Sequence, residues 1–199
     1  SVEHGLQFVF VGAIYQDPNG YLWAGGYGGL TRFDGRIFTH YGAQRNLVNH
    51  DVQAIDGNEN GDIWIATLGG LGHLKDGVMH NYHVEDGLLS DEVNTVFAAK
   101  NGTVWIGTDK GLNVIREGIL SAPEFSTDFD SKSVRALHED RHENLLIGTD
   151  KGLAVLSLND AHNISFPREL CEDKVTAICQ DDQGLIWVGT ERGLCRVRM

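Results

Sequence analysis

The sequence predicts an all-β fold, a β-propeller, and three observations predict it. Trp23, Trp64, Trp105, Leu146 and Trp187 recur at a constant step of 41 residues. A Gly-Leu pair follows each at the same step: Gly29-Leu30, Gly70-Leu71, Gly111-Leu112, Gly152-Leu153 and Gly193-Leu194. Between the anchors the apolar residues alternate, and no stretch of helical period competes. A period of about 40–45 residues is that of one four-stranded blade per repeat. Four short antiparallel strands, repeated around an axis, protect their edges, and large indoles fill the space between neighbouring sheets.

Each period is expected to run through the same elements. The first strand is the alternating segment: Val11–Ile14, Val52–Ile55, Val93–Val96, Val134–Leu137 and Val175–Ile178. A hairpin turn follows at Asn19-Gly20, Asn60-Gly61, Asn101-Gly102 and Gln183-Gly184. Asn-Gly between alternating apolar runs is a strong hairpin signal, because both residues tolerate positive φ. The fourth repeat has His142-Glu143 there, which predicts a looser turn. The second strand carries the anchor. A second turn follows, as in Gly107–Gly111 and Gly148–Gly152, and the Gly-Leu pair opens the third strand. A weaker fourth strand is expected near Ile37–Tyr41, Val78–Tyr82 and Ile119–Leu120, and near Asn159–Ser165 with little apolar character. Pro18, Pro123 and Pro167 all fall in expected turns or loops, where a missing N–H matters least. The repeats are approximately 1–41, 42–82, 83–123, 124–164 and 165–199, in one propeller domain. The last unit is short of a full period, so it should lack its outermost strand, and a longer parent protein is expected.

Composition narrows the function. The chain has 199 residues and a formal net charge of −12, from 28 acidic and 16 basic side chains. That balance, with no basic run, opposes nucleic-acid binding. No apolar stretch approaches the ~20 residues of a membrane helix, so this segment should make no membrane contact. Residues 1–12 do not read as a signal peptide. Cys171, Cys179 and Cys195 are odd in number, with a strand expected between the last two, so packed free thiols are predicted.

The pattern V-x-A-I-x-x-D-x-x-G-x-[LI]-W-[IV]-G-T-x-x-G-L resembles the two-component regulator propeller repeat. The best match runs from Val175 through Asp181, Gly184 and Trp187 to Gly193-Leu194, and Val93–Leu112 is close. The first repeat ends Gly29-Leu30-Thr31-Arg32-Phe33-Asp34-Gly35, like the opening blade of such arrays. The resemblance spans the whole chain. It implies a sensor domain on the periplasmic or extracellular side of a bacterial inner-membrane receptor, whose cytoplasmic half is a histidine kinase, a hybrid kinase or a diguanylate cyclase. Family rings usually have seven blades, so this chain is either a five-bladed ring or an arc of a seven-bladed one.

With the first strand innermost, one face gathers the turns between second and third strands and the loops linking repeats. Candidate ligand-binding residues there are Tyr27, Arg45, His50, Asp109, Lys110, Asp150, Lys151 and Arg192. Tyr27 breaks the turn pattern and offers a ring that stacks on a sugar. Acid–base pairs recur in the last three turns. The linking loops diverge most, with acids at Glu85, Asp86, Asp91, Glu92, Asp128, Asp130, Glu169, Glu172 and Asp173, and specificity in a regular array belongs in such loops. No metal, cofactor or catalytic residue is expected: HExxH, CxxC, a phosphate loop and a nucleophile elbow are all missing from the sequence. The sequence therefore points to a non-catalytic ligand-recognition domain for a small molecule or oligosaccharide. The alternatives are an interaction or dimerisation module, self-associating through the ring face or exposed edge, and a propeller lyase or hydrolase. The lyase would need a His and a Glu converging at the axis with a divalent cation.

Overall fold

The computed structural model describes residues 10–123, 133–158, 164–165 and 173–197. Among the described residues nineteen strands form five antiparallel sheets. The first holds β1 (Ala13–Gln16), β2 (Leu22–Gly26), β3 (Gly29–Phe33) and β4 (Phe38–Tyr41). The second holds β5 (Val52–Gly57), β6 (Ile63–Thr67), β7 (Gly70–Lys75) and β8 (Val78–Tyr82). The third holds β9 (Val93–Ala98), β10 (Val104–Thr108), β11 (Gly111–Arg116) and β12 (Ile119–Ser121). The fourth holds β13 (Val134–Glu139), β14 (Asn144–Thr149), β15 (Gly152–Ser157) and β16 (Ile164–Ser165). The fifth has three strands, β17 (Val175–Gln180), β18 (Ile186–Thr190) and β19 (Gly193–Val197). Strand order follows chain order in every sheet, and the inner strands β1, β5, β9, β13 and β17 stand side by side. This is the propeller that the 41-residue period predicts, its last blade short of a fourth strand.

The two turns of the repeat have distinct causes. In four blades a Thr at the end of the second strand closes the second turn: Thr67 Oγ1 donates to the Gly70 carbonyl at 2.8 Å, and Thr108, Thr149 and Thr190 do the same to Gly111, Gly152 and Gly193. Those glycines sit at φ between +125° and +145°, which is why the Gly of Gly-Leu does not vary. The first turn differs from the expected Asn-Gly form. Only its Gly has positive φ (Gly20, Gly61, Gly102, Gly184), and the loops are three residues long, bounded by pairs such as Asp17 N–H to the Tyr21 carbonyl. That is a type I turn followed by a left-handed residue. In four blades an Asp or Asn ahead of the turn fixes it: Asp17 Oδ1 accepts the N–H groups of Asn19 and Tyr21, and Asp181 Oδ1 those of Gln183 and Leu185. The fourth turn is not looser. Asp140 Oδ1 accepts from His142 and Asn144, and Glu143 is held at φ +60° to keep the same shape.

The core is four interfaces, each between consecutive blades. The anchor face of one blade packs on the aliphatic face of the next. Trp23 and Leu30 meet Ile55, Ile63 and Ile65; Trp64 and Leu71 meet Val96, Val104 and Ile106; Trp105 and Leu112 meet Leu145 and Ile147; Leu146 and Leu153 meet Ile186 and Val188. Gly107 is small because a Cβ there would fall 2.6 Å from Val134 Cγ1 of the following blade. Trp23, Trp64, Trp105 and Leu146 are at most 4% exposed, as the register demands.

Trp187 departs from that expectation and is only half-buried, because among the described residues no sheet packs on the anchor face of the fifth. Leu194 is 67% exposed, whereas its counterparts Leu30, Leu71 and Leu112 are fully buried. At the other end, Ile14 (66%) and Leu22 (39%) lie open on the aliphatic face of the first blade. The five blades thus form an arc with an uncovered anchor face at one end and an uncovered aliphatic face at the other, and not the self-closed ring in which β17 lies against the first blade. Cys179 on β17 is exposed rather than packed, Cys195 on β19 is half-buried, and both are free thiols; Cys171 and Pro167 lie outside the described residues.

Candidate functional site

The structure gathers the two loop sets on one face, as the strand order requires. Turn N–H groups donate to the linking loops: Gly28 to the His50 carbonyl at 3.0 Å, Leu68 to Asp51, Asp109 to Glu92 and Glu191 to Lys174. Tyr27 is 74% exposed and bridges to Asp51. Arg45, in a 3-10 turn (Ala43–Arg45), holds its guanidinium 4.8 Å above the Tyr41 ring, and His50 is exposed. Asp109 has a buried Oδ1 with no hydrogen-bond partner, and the Lys110 N–H donates to Thr108 Oγ1. Asp150 is taken up by Arg135 Nε at 2.6 Å, and the Lys151 N–H donates to Thr149 Oγ1. Arg192 pairs with Asp173 at 3.2 Å while remaining largely exposed. These eight residues lie on the turns and linking loops around the rim of that face. Asp128, Asp130, Glu169 and Glu172 lie outside the described residues.

A cavity of about 810 Å³ opens at the opposite end, and none of the eight lines it. It is built where the inner strands run into the first turns, and all five blades contribute. Its wall includes Tyr15, Asp56, Phe97 and His138, which occupy one position of the 41-residue period; Cys179 is the fifth of that series. The sequence signal was present in that column. A position reading Tyr, Asp, Phe, His and Cys carries five chemistries, while the position before it is aliphatic throughout (Ile14, Ile55, Val96, Leu137 and Ile178). It lies at strand ends beside first turns that are nearly alike from blade to blade.

Local structure explains each group. Asp56 reaches across to the next blade, where Oδ2 accepts the Ala98 N–H at 2.8 Å. Burial raises its pKa, against the lowering effect of the Ala98 and Gly57 N–H groups. Burial raises Glu139 as well, with repulsion from Glu143 and Asp140 adding and Lys100 opposing. Glu139 Oε2 is shut off from solvent with no hydrogen-bond partner. Burial lowers His138, Asp140 opposing, so the imidazole is neutral at pH 7. Burial and the charges of Asp56 and Asp17 raise Tyr15. Arg141 ties the fourth blade to the fifth: its Nη2 donates to the Asp181 carbonyl at 2.9 Å, and its backbone N–H donates to Gln180 Oε1 at 3.0 Å. Among the described residues no three His, Cys, Asp or Glu side chains converge closely enough to hold one metal ion. His138 and Glu139 both line the cavity, but as neighbours on one strand their side chains leave it in opposite directions.

Comparison with known proteins agrees with the blade pattern. The family model described as two component regulator propeller matches residues 5–28, 87–110 and 169–192. The chain is similar to the extracellular domain of a putative hybrid two component system from B. thetaiotaomicron, with 26% identity and a TM-score of 0.85, over 100% of this chain and 30% of that one. A second such domain from the same organism gives 25% identity and a TM-score of 0.80, over 98% of this chain and 28% of that one. Virginiamycin B lyase from Staphylococcus aureus shares the fold at 12% identity and a TM-score of 0.70, over 95% of this chain and 70% of the lyase. No curated protein matches the chain. The chain spans less than a third of the length of the two extracellular domains it matches. No helix among the described residues is long and apolar enough to cross a membrane. The repeated motif and the blade geometry thus resemble those of the two component regulator propeller, whose model matches three segments of the chain.

Proposed function

We propose that this chain is a non-catalytic ligand-recognition segment on the periplasmic or extracellular side of a bacterial signalling receptor. The observation that carries the reading is the match, over the whole chain, to the extracellular domain of a hybrid two component system. The cavity supports it, because a concave site with a few unpartnered polar groups is the usual form of a small-ligand site. The rim of Tyr27, Arg45, His50, Asp109, Lys110, Asp150, Lys151 and Arg192 is a second surface for a small molecule or oligosaccharide. A receptor carrying this segment, coupled to a transcriptional reporter, tests the reading. Ligand response should vanish on Glu139→Gln if the cavity is the site and on Tyr27→Ala with Arg192→Ala if the rim is. A response untouched by either set would remove recognition from this segment.

The two uncovered end faces favour a second role, as a docking module for further blades or for another copy of the chain. A likeness at 12% identity to a lyase supports the fold alone and gives catalysis no support.

A further inference from the structure

The lining of the cavity is one-sided in charge. Seven carboxyl-bearing side chains face it against two permanent cations, Lys100 and Arg141. Not all of the seven are available. Asp140 and Asp181 already hold their turns through backbone N–H groups, and Arg141 is engaged with Asp181 and Gln180. The remaining carboxylates come in two tiers. Glu59, Glu143 and Asp182 are exposed at the mouth, while Asp56, with one oxygen already on the Ala98 N–H, and Glu139 are half-buried within. Glu139 Oε2 is enclosed and lacks a donor, an arrangement that costs free energy unless a ligand supplies one. Two aromatic rings, Tyr15 and Phe97, share the wall.

These features select a class of ligand. Carboxylates facing a concave, partly water-excluded space focus a negative potential and draw in cations. Ammonium groups give charge-assisted hydrogen bonds to carboxylates and also attract aromatic faces. A single metal ion does not fit, since the acids stand on the second, fourth and fifth blades and no three ligating side chains among the described residues converge. Groups so distributed suit an elongated molecule with cationic centres spaced along it. We propose that the cavity binds a small organic polycation of the polyamine class, with Asp56 and Glu139 taking ammonium groups and Tyr15 and Phe97 flanking the methylene chain. This rests on the recognition reading and names the ligand chemistry of the same site.

Isothermal titration calorimetry on the 199-residue chain tests it, with spermidine as the probe and maltotriose as a neutral comparator. Spermidine should bind, and its affinity should fall about tenfold in Glu139→Gln and again in Asp56→Asn. Affinity should also fall steeply between 50 mM and 500 mM NaCl, as screening of the acidic mouth demands. Asp76→Asn, at an exposed outer turn away from the cavity, should leave it unchanged. Absence of spermidine binding, or binding indifferent to Glu139→Gln and Asp56→Asn, overturns the proposal. Maltotriose binding that Glu139→Gln abolishes overturns the polycation and leaves recognition at the cavity standing. If neither probe binds, the polycation fails while the reporter experiment still decides the recognition reading.

Discussion

Asp17 Oδ2 accepts the indole N–H of Trp23 at 2.9 Å while its other oxygen holds the turn, and Asp181 repeats both bonds with Trp187. One carboxylate thus ties a hairpin to the anchor of the same blade. The second and third blades depart from this. Asn58 and Ala99 stand at the Asp position, and the Trp64 and Trp105 indole N–H groups are buried without an acceptor. Ala99→Asp should give Trp105 its missing partner and stabilise the chain by about 1 kcal/mol. A melting temperature about 2–4 °C higher would show it. A lower one would mean that desolvating the new carboxylate at this buried position outweighs the new bond.

Glu143 occupies a left-handed position that glycine fills in four other first turns. Glu143→Gly should therefore raise stability by about 1 kcal/mol, since a side chain at positive φ costs roughly that much. Chemical denaturation would read the gain. A loss would show that the side chain makes up for its own strain.

The anchors should separate by position. Trp105→Ala should cost about 3–5 kcal/mol, because the indole is enclosed between two blades. Trp187→Ala should cost clearly less, since one side of that ring has no neighbour. Equal losses in urea titrations would contradict the open arc.

The exposed ends should make the isolated chain associate. Leu194→Asp should leave the monomer's stability within about 0.5 kcal/mol and reduce association. Leu153→Asp, at the equivalent but buried position, should prevent folding by burying an unpaired charge. Size-exclusion chromatography with light scattering reads both. A chain that stays monomeric at high concentration would show that the two faces do not attract one another.

Stability should fall as the pH drops through about 6.5. Burial holds the folded-state pKa values of His138 and His73 below the unfolded value of 6.5, for His73 against the opposing pull of Asp62. Above 6.5 both states are neutral. Below it the unfolded chain takes up protons that the folded one refuses, so the equilibrium shifts toward unfolding until the folded pKa is passed. Asp56 and Glu139, whose folded pKa values are raised, act in the opposite sense at lower pH. Thermal melts from pH 7.5 to 5.5 should show the decline, and His138→Gln should flatten it. An unchanged slope in that variant would remove His138 from the account.

The blade register was legible in the sequence because each repeated residue answers a local demand. Gly111 meets a positive φ, Thr108 closes its turn and Trp105 fills an interface, and each residue type returns in at least four of the five units. The turn type was misread, since Asn60-Gly61 suits two forms and the Asn58 side chain that chooses between them lies outside the dipeptide. The exposure of Trp187 and Leu194 was hidden for a different reason. Burial there depends on a neighbouring blade, and the motif is the same with or without one. The cavity escaped because Tyr15, Asp56, Phe97 and His138 are distant in sequence and unlike in chemistry, so only the geometry of the arc makes them a group.

Each blade presents an indole side forward and an aliphatic side behind, which gives the stack a direction, like bricks with stud and socket. A gene that gains or loses one whole 41-residue unit creates no new kind of joint, because every junction in the longer or shorter stack is again stud to socket. The wall of the cavity behaves otherwise. Each unit brings its own single residue at the Tyr15 position, so copying units and then changing one codon in each recomposes the wall one side chain at a time while the joints stay as they were.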